Sequence, residues 1–398
     1  MKRYGNLYKQ IYDFENLYQA YLEARKGKRF RGDVLEFTAN LEENLIEIQN
    51  ELIWKMYQVG RYREFYVYEP KKRLIMALPF KDRVVQWAIY RVLNPLLSKS
   101  FISHSYACRV GMGTHKAADK LQYWVRKVDR SPNKYYYLKM DISKYFYRVD
   151  HCIIMEILER KIKDKDVLWL IERIIRSRDT PFGLPLFMEP GDCPKNKRLY
   201  NKGMPIGNLT SQLLANIYLN ELDHYVKHQL KERYYIRYMD DFIILHHDKK
   251  HLHKLKKDIE HYLNHLLKLN LNKKTCIRPL STGVEFVGFR IWPTHRKLKK
   301  KTALKMKRRL KYLKNAYSRG EVDFHDINAS VQSYLGILKH FDSHYLRKSL
   351  FDSLILIRKQ EDTITRLVNE NIEQEETIKV LFRDKLKDCE ESRWPYDY

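Results

Sequence analysis

Apolar residues recur at helical spacing through FTANLEENLIEIQNELIWKMY, residues 37–57, so the first sixty residues predict a mostly helical start. Near residue 61 the pattern changes. YREFYVYEPKKRLIMALPF alternates and is broken by Pro70 and Pro79, which predicts a short hairpin with Lys71, Lys72 and Arg73 at its turn. A helix, DRVVQWAIYRVLNPLLSKSF, follows, with Asp82 as its expected cap. YYYLKMDISKYF, residues 135–146, reads as a strand running into a turn, and HCIIMEILERKI as the helix after it. Proline and glycine mark 177–203 as a loop, and GMPIGNLTSQLLANIYLNELDHYVKHQL predicts a turn and a long helix.

Two apolar runs, Tyr234 to Met239 and Phe242 to Leu245, then flank Asp240 and Asp241, and the pattern predicts a β-hairpin with a doubly acidic tip. A helix over 249–267, the loop LNLNKKTCI and a strand FVGFRIW at 286–292 complete this part. From residue 296 the composition shifts: 296–319 holds twelve Lys/Arg and no acid in a helical pattern, whereas 359–398 holds eleven acids against seven bases. The expected domains are 1–295, a basic helical piece over 296–358, and an acidic tail over 359–398.

Composition narrows the function classes. A 398-residue chain with 44% hydrophobic residues can bury sizeable cores, and a formal charge of +27 calls for a polyanionic partner. Nucleic acid leads; an anionic membrane is second, weakened because no run of 18 apolar residues occurs and the first residues have no apolar core. The expectation is a soluble cytoplasmic chain with no membrane partner. Five scattered cysteines, never spaced C-x-x-C, support neither a disulfide framework nor a zinc ribbon. Thirty tyrosines suit base stacking in a nucleic-acid groove, and equally suit half-wet cores.

Adjacent carboxylates repel: at about 4 Å and an effective dielectric near 20, two unit charges cost about 4 kcal/mol. A solvated turn is the plain explanation of Asp240-Asp241. Asp141 supplies a sharper one, because it closes the YYYL strand and its carboxylate can stand at a sheet edge beside the hairpin tip. Carboxylates from two strands make a hard oxygen site suited to Mg²⁺. Two such ions about 3.5–4 Å apart can activate a 3′-hydroxyl and stabilise leaving pyrophosphate. That is nucleotide polymerisation chemistry.

YMDD at 238–241, MDISKYF at 140–146, the KKR before DRVVQ, SYACRVGMGTH at 105–115, GMPIGNLTSQ at 203–212, NKKT at 272–275 and FVGF at 286–289 stand in the order and spacing of bacterial reverse transcriptases. The chain resembles that family, of group II intron-like or retron type, closely over about 60–295 and into a thumb through SYLGILKH. The resemblance implies an α+β right-hand polymerase with fingers, palm and helical thumb, acting as an RNA-directed DNA polymerase. It implies two Mg²⁺ ions, or Mn²⁺, with Asp141, Ile142, Asp240 and Asp241 as the metal-binding positions. Lys72 and Arg73 match the fingers residues that neutralise the incoming triphosphate, and Lys274 the acid for the pyrophosphate leaving group. Phe146 matches the steric gate against a ribose 2′-hydroxyl, which makes dNTPs the substrate.

One departure matters. The family usually has Gln at the position of Ile206, where it helps hold the nascent base pair, and Pro at the position of Gln212. The form Ile206-Gly207 to Ser211-Gln212 resembles reverse transcriptases of diversity-generating retroelements, which copy template adenines inaccurately, and some defence enzymes. Expected partners are an RNA template and primer, dNTPs, and a non-coding RNA or accessory protein encoded nearby. The alternatives are a defence-associated reverse transcriptase making a cDNA effector, and an RNA-binding splicing cofactor without catalysis. His246, His247, His251 and His253 read as an exposed helix start and not as a metal site.

Overall fold

The computed structural model describes residues 3–68, 72–176, 180–351 and 354. Lys71 and Pro70 of the expected hairpin turn, and the acidic stretch 359–398, lie outside the described residues. The chain divides into two compact units, Met1–Val287 and a second from Gly288 onward. The composition change lies at residue 296, while the backbone turns earlier. Val287 (φ +41°) and Gly288 (φ +92°) break what the pattern predicts as one strand into Val284–Phe286 and Phe289–Ile291.

The first unit opens with four helices, α1 (Tyr8–Tyr12), α2 (Phe14–Arg25), α3 (Gly32–Ala39) and α4 (Leu41–Ile53). A two-stranded antiparallel hairpin follows, β1 (Arg63–Val67) with β2 (Arg73–Ala77), then α5 (Phe80–Leu97) and α6 (Thr114–Asp129). Asp82 does not cap α5. It is buried in the first turn, where it accepts from Tyr57 Oη at 2.6 Å and from the Gly60 N–H at 3.3 Å, tying the helix to the preceding segment.

Next come β3 (Tyr136–Asp141), the one-turn helix α7 (Tyr145–Arg148), α8 (His151–Glu159), α9 (Lys165–Ile175) and α10 (Leu209–His224). They are followed by β4 (Tyr235–Tyr238), β5 (Asp241–His246), α11 (Lys249–His265), β6 (Cys276–Pro279) and β7 (Val284–Phe286). Four strands form one antiparallel sheet in the order β4-β5-β3-β6. Helix α9 shows why the helices bury one face: Val167, Leu170, Ile171, Ile174 and Ile175 recur at i, i+3, i+4, i+7, i+8 and all are buried. Each such side chain stabilises the fold by about 1.5–3 kcal/mol.

Helix α10 is buried nearly all round and packs against α5, α8 and α11. Its inward polar residues Asn216 and Asp223 therefore need partners within the protein.

Asp164 joins the helical start to this core. Its Oδ1 accepts from the Asp166 and Val167 N–H at the start of α9, and its Oδ2 from the Leu7 and Tyr8 N–H at the start of α1. One carboxylate thus caps two helices.

In the loop between α9 and α10, Gly203 has φ +87°, and a Cβ there would lie 2.7 Å from the backbone of Phe182 and Gly183. Only glycine fits this crossing.

The second unit contains β8 (Phe289–Ile291), β9 (Arg296–Leu298), α12 (Lys300–Ser318), α13 (Phe324–Leu338) and α14 (His344–Phe351). Met306, Leu310, Leu338 and Leu350 form its core, while Lys301, Lys305, Lys307, Arg308, Arg309 and Lys311 of α12 face outward.

Candidate active site

The pairing of β3 with β5 sets Asp141 directly opposite Asp241, and the pairing of β4 with β5 sets Tyr238 opposite Asp241. The two-residue turn is therefore Met239-Asp240, and not Asp240-Asp241 as the pattern suggests; Asp241 already belongs to β5. Met239 adopts φ +54°, a left-handed conformation that a non-glycine residue holds at a cost of roughly 1–3 kcal/mol.

What holds the turn lies underneath it. Arg237 donates from Nη1 to the Met239 carbonyl at 3.1 Å and to Asn216 Oδ1 at 3.3 Å. Its Nε and Nη2 bond both oxygens of Asp223, at 2.7 and 2.6 Å, and Tyr235 Oη donates to Asp223 Oδ1 at 2.7 Å. Burial works against the Arg237 charge, but Asp223 outweighs it and keeps the guanidinium ionised. Asn216 Nδ2 in turn holds the Ala107 carbonyl at 2.9 Å, and main-chain bonds join Arg237 to His104 and Tyr106. The SYACRVGMGTH block is thereby docked along β4.

Sequence reasoning missed this network. A lone arginine inside the apolar run YYIRYM was the available signal, because a strand that buries Ile236 and Tyr235 also buries the residue that follows them.

The end of β3 is clamped on both sides. The Ile142 N–H donates to the Asp240 carbonyl at 3.1 Å, and the Asp141 carbonyl accepts from the Asn272 N–H at 2.7 Å. The Ile142 side chain is buried, so its main chain alone could face an ion. Asn272 also accepts from the Lys274 N–H at 3.0 Å, which ties the exposed Lys274 loop to the strand carrying Asp141.

Burial, and next the nearby Asp141, push the Asp240 carboxyl up to about 6, against an opposing pull from Arg73. The Arg73 guanidinium is thus within electrostatic reach of Asp240. Arg73 begins β2, whose Leu74 carbonyl accepts from Tyr147 Oη of α7 at 3.5 Å.

Lys72 Nζ is bonded to the Gly191 carbonyl at 3.3 Å and lies over the Tyr66 ring. Phe146, half-buried on α7, packs edge-on against Tyr145, and its carbonyl accepts from the Met204 N–H at 2.7 Å. The Ile206 carbonyl accepts from the Met76 N–H of β2 at 3.1 Å, and Gly207 follows at φ +118°. Gln212 is half-buried in the first turns of α10.

Among the described residues no group of three His, Cys, Asp or Glu side chains stands close enough to enclose an ion. Asp241 Oδ2 is engaged instead by Lys139 Nζ at 3.0 Å. Asp141 and Asp240 nonetheless fit a divalent cation: they are hard oxygen donors whose mutual repulsion already raises one of them, and a cation relieves that repulsion. The clustered histidines have other partners, His251 bonding Glu232 at 2.8 Å and His246 stacking on His247. No described helix is long and apolar enough to cross a membrane.

The family model for reverse transcriptase (RNA-dependent DNA polymerase) matches residues 69–291, more than half of the chain. The chain belongs to the reverse transcriptase family. Its architecture is accordingly the right-hand polymerase fold, with the β4-β5-β3-β6 sheet carrying the YMDD hairpin. Among curated relatives, protein YkfC of Escherichia coli is 26% identical over 288 residues, covering 64% of this chain and 72% of its own. The group II intron-encoded protein LtrA of Lactococcus lactis is 27% identical over 266 residues, covering 64% of this chain and 41% of its own. Nuclear intron maturase 2 of Arabidopsis thaliana is 24% identical, covering 48% and 31%. The chain thus spans less than half the length of the intron-related proteins it resembles.

Proposed function

We propose that this reverse transcriptase extends a primer with dNTPs on an RNA template, with Asp141, Asp240 and Asp241 as its catalytic carboxylates. The observation that carries this reading is the strand register that sets Asp141 opposite Asp241, with Asp240 in the turn between β4 and β5. Asp141 and Asp240 would hold Mg²⁺, or Mn²⁺ in its place, and the bound ions would activate the primer 3′-hydroxyl and stabilise charge on the departing pyrophosphate.

The chain's own residues do the rest. Arg73, with Lys72 behind it, neutralises the incoming triphosphate, and the Phe146 ring closes the space a 2′-hydroxyl would need. Ile206 and Gly207 line the nascent base pair beside β2, with Gln212 in the first turn of α10. Bond formation between the primer oxygen and the α-phosphorus expels pyrophosphate, and Lys274 delivers a proton to it. An aliphatic Ile206 side chain cannot hydrogen-bond the nascent pair, which favours an error-prone enzyme of diversity-generating type.

The test is primer extension on poly(rA) and on a mixed RNA template with Mg²⁺ and dNTPs, followed by product sequencing. Incorporation that disappears in Asp240→Ala supports the polymerase. Errors concentrated opposite template adenines, reduced in Ile206→Gln, support the low-fidelity reading; equal error rates in the two proteins count against it.

The maturase among the relatives favours a second reading, an RNA-binding splicing cofactor. That reading expects no incorporation in the wild type and unchanged RNA binding in Asp240→Ala.

A further inference from the structure

Lys139 stands two residues before Asp141 on β3, so the two side chains leave the sheet on the same face. Asp241 is opposite Asp141 on β5, which puts it on the diagonal from Lys139, within reach of a long side chain. The Lys139 ammonium takes this position, 3.0 Å from Asp241 Oδ2. It makes a second bond, 2.7 Å to the Glu285 carbonyl of β7, which anchors it independently of Asp241. Both side chains of the pair are mostly shielded from water, at 20% and 26% exposure, so solvent screens the ammonium only partly. Three carboxylates gathered at one sheet edge repel one another, and the ammonium offsets part of that charge.

We propose that Lys139 is the built-in counter-charge of the carboxylate cluster. Its ammonium occupies Asp241 in place of a cation and lowers the affinity of the site for divalent ions. Because the Glu285 carbonyl retains the ammonium, its charge stays beside the site even when Asp241 turns toward an ion. Lys139 is thus a positioning residue that weights the site toward Asp141 and Asp240. The inference rests on the metal-binding role of these carboxylates proposed above.

The test is Mn²⁺ binding to the full chain, read as free Mn²⁺ by electron paramagnetic resonance at fixed ionic strength. Lys139→Met and Lys139→Gln are expected to bind Mn²⁺ more tightly, on the order of tenfold, since one repelling charge a few ångströms away is removed. Lys139→Arg keeps the charge and leaves the affinity unchanged. Lys139→Gln combined with Asp241→Asn returns the affinity toward that of the wild type, one charge of each sign having gone.

A lysine with only a structural role gives the opposite result, because its loss loosens the strand end and weakens binding. Gln can still donate to the Glu285 carbonyl, so it preserves the fold should Met fail to. A folded neutral variant that binds Mn²⁺ no more tightly than the wild type overturns the proposal for Lys139 alone. Wild-type protein whose Mn²⁺ binding is absent, or is unaffected by Asp240→Asn, overturns the metal-site reading and this inference with it.

Discussion

The guanidinium of Arg237 grips Asp223 through two bonds, Nε to Oδ1 at 2.7 Å and Nη2 to Oδ2 at 2.6 Å, and neither side chain is exposed to water. A further bond, from Nη1 to the Met239 carbonyl, carries this rigidity into the turn that bears Asp240. Breaking such a pair by removing one partner costs about 3–5 kcal/mol, because the other charge is left buried alone. Arg237→Met is therefore expected to lower the thermal unfolding temperature sharply. Arg237→Lys keeps the charge but not the fork, so its kcat for dNTP incorporation should fall while the KM for template-primer stays near that of the wild type. Unchanged kcat in a folded Arg237→Lys protein would show that the turn does not depend on this support.

Asp164 caps two helices at once, and that gives it a distinct pH signature. Burial raises its carboxyl, but four backbone N–H donors, those of Tyr8, Leu7, Val167 and Asp166, outweigh burial and hold it below the usual carboxylate value of 3.8. A lowered folded pKa contributes stability that is present above 3.8 and is lost as pH falls through the still lower folded value. Asp164→Ala should cost about 1–3 kcal/mol at neutral pH, the loss of two caps. Urea unfolding midpoints of the two proteins should converge as the pH is taken below that of the folded carboxyl. A constant difference across that range would sink the assignment.

The Phe146 ring packs edge-on against Tyr145, and the Met204 N–H bond to its carbonyl holds the main chain that carries it. If it is the gate against ribose, Phe146→Val should reduce discrimination between dNTPs and rNTPs by roughly 10–200-fold, the range set by a few methylene-sized contacts. Single-nucleotide incorporation with each substrate reads this directly.

Helix α12 turns Met306, Leu310, Leu313 and Ala316 inward and leaves Lys305, Arg308 and Lys311 exposed. Replacing those three by Gln should weaken template-primer binding and flatten its dependence on salt, by about 0.9 in the log-log slope for each phosphate that is no longer neutralised. A slope equal to that of the wild type would mean that this helix face does not meet the nucleic acid.

Much of the molecule is legible along the chain, because short-range periodicity dictates local structure. The helical start, the β3 strand ending at Asp141, the long α10 and the basic α12 follow from the spacing of apolar residues. The placement of Asp141 at a strand end and of Asp240-Asp241 at a hairpin tip is legible in the same way, and the register brings Asp141 opposite Asp241. Boundaries are less legible. Val287 and Gly288 break a run that alternates well enough for one strand, since the left-handed turn they make is a backbone property that the pattern does not encode. Asp82 looks like a helix cap by position but is drawn to Tyr57 and Gly60, because buried carboxylates go wherever donors are.

The sequence by itself determined the main helices and strands and a strongly basic charge, and it singled out Asp141, Asp240 and Asp241 as candidates for one site. Local spacing and residue type suffice for those conclusions. Only the tertiary structure decided that Arg237 and Asp223 stand beneath the turn, and that Lys139 holds Asp241. These pairings depend on strand register and on which helix covers the sheet, and register is a property of long-range contacts that no local pattern specifies.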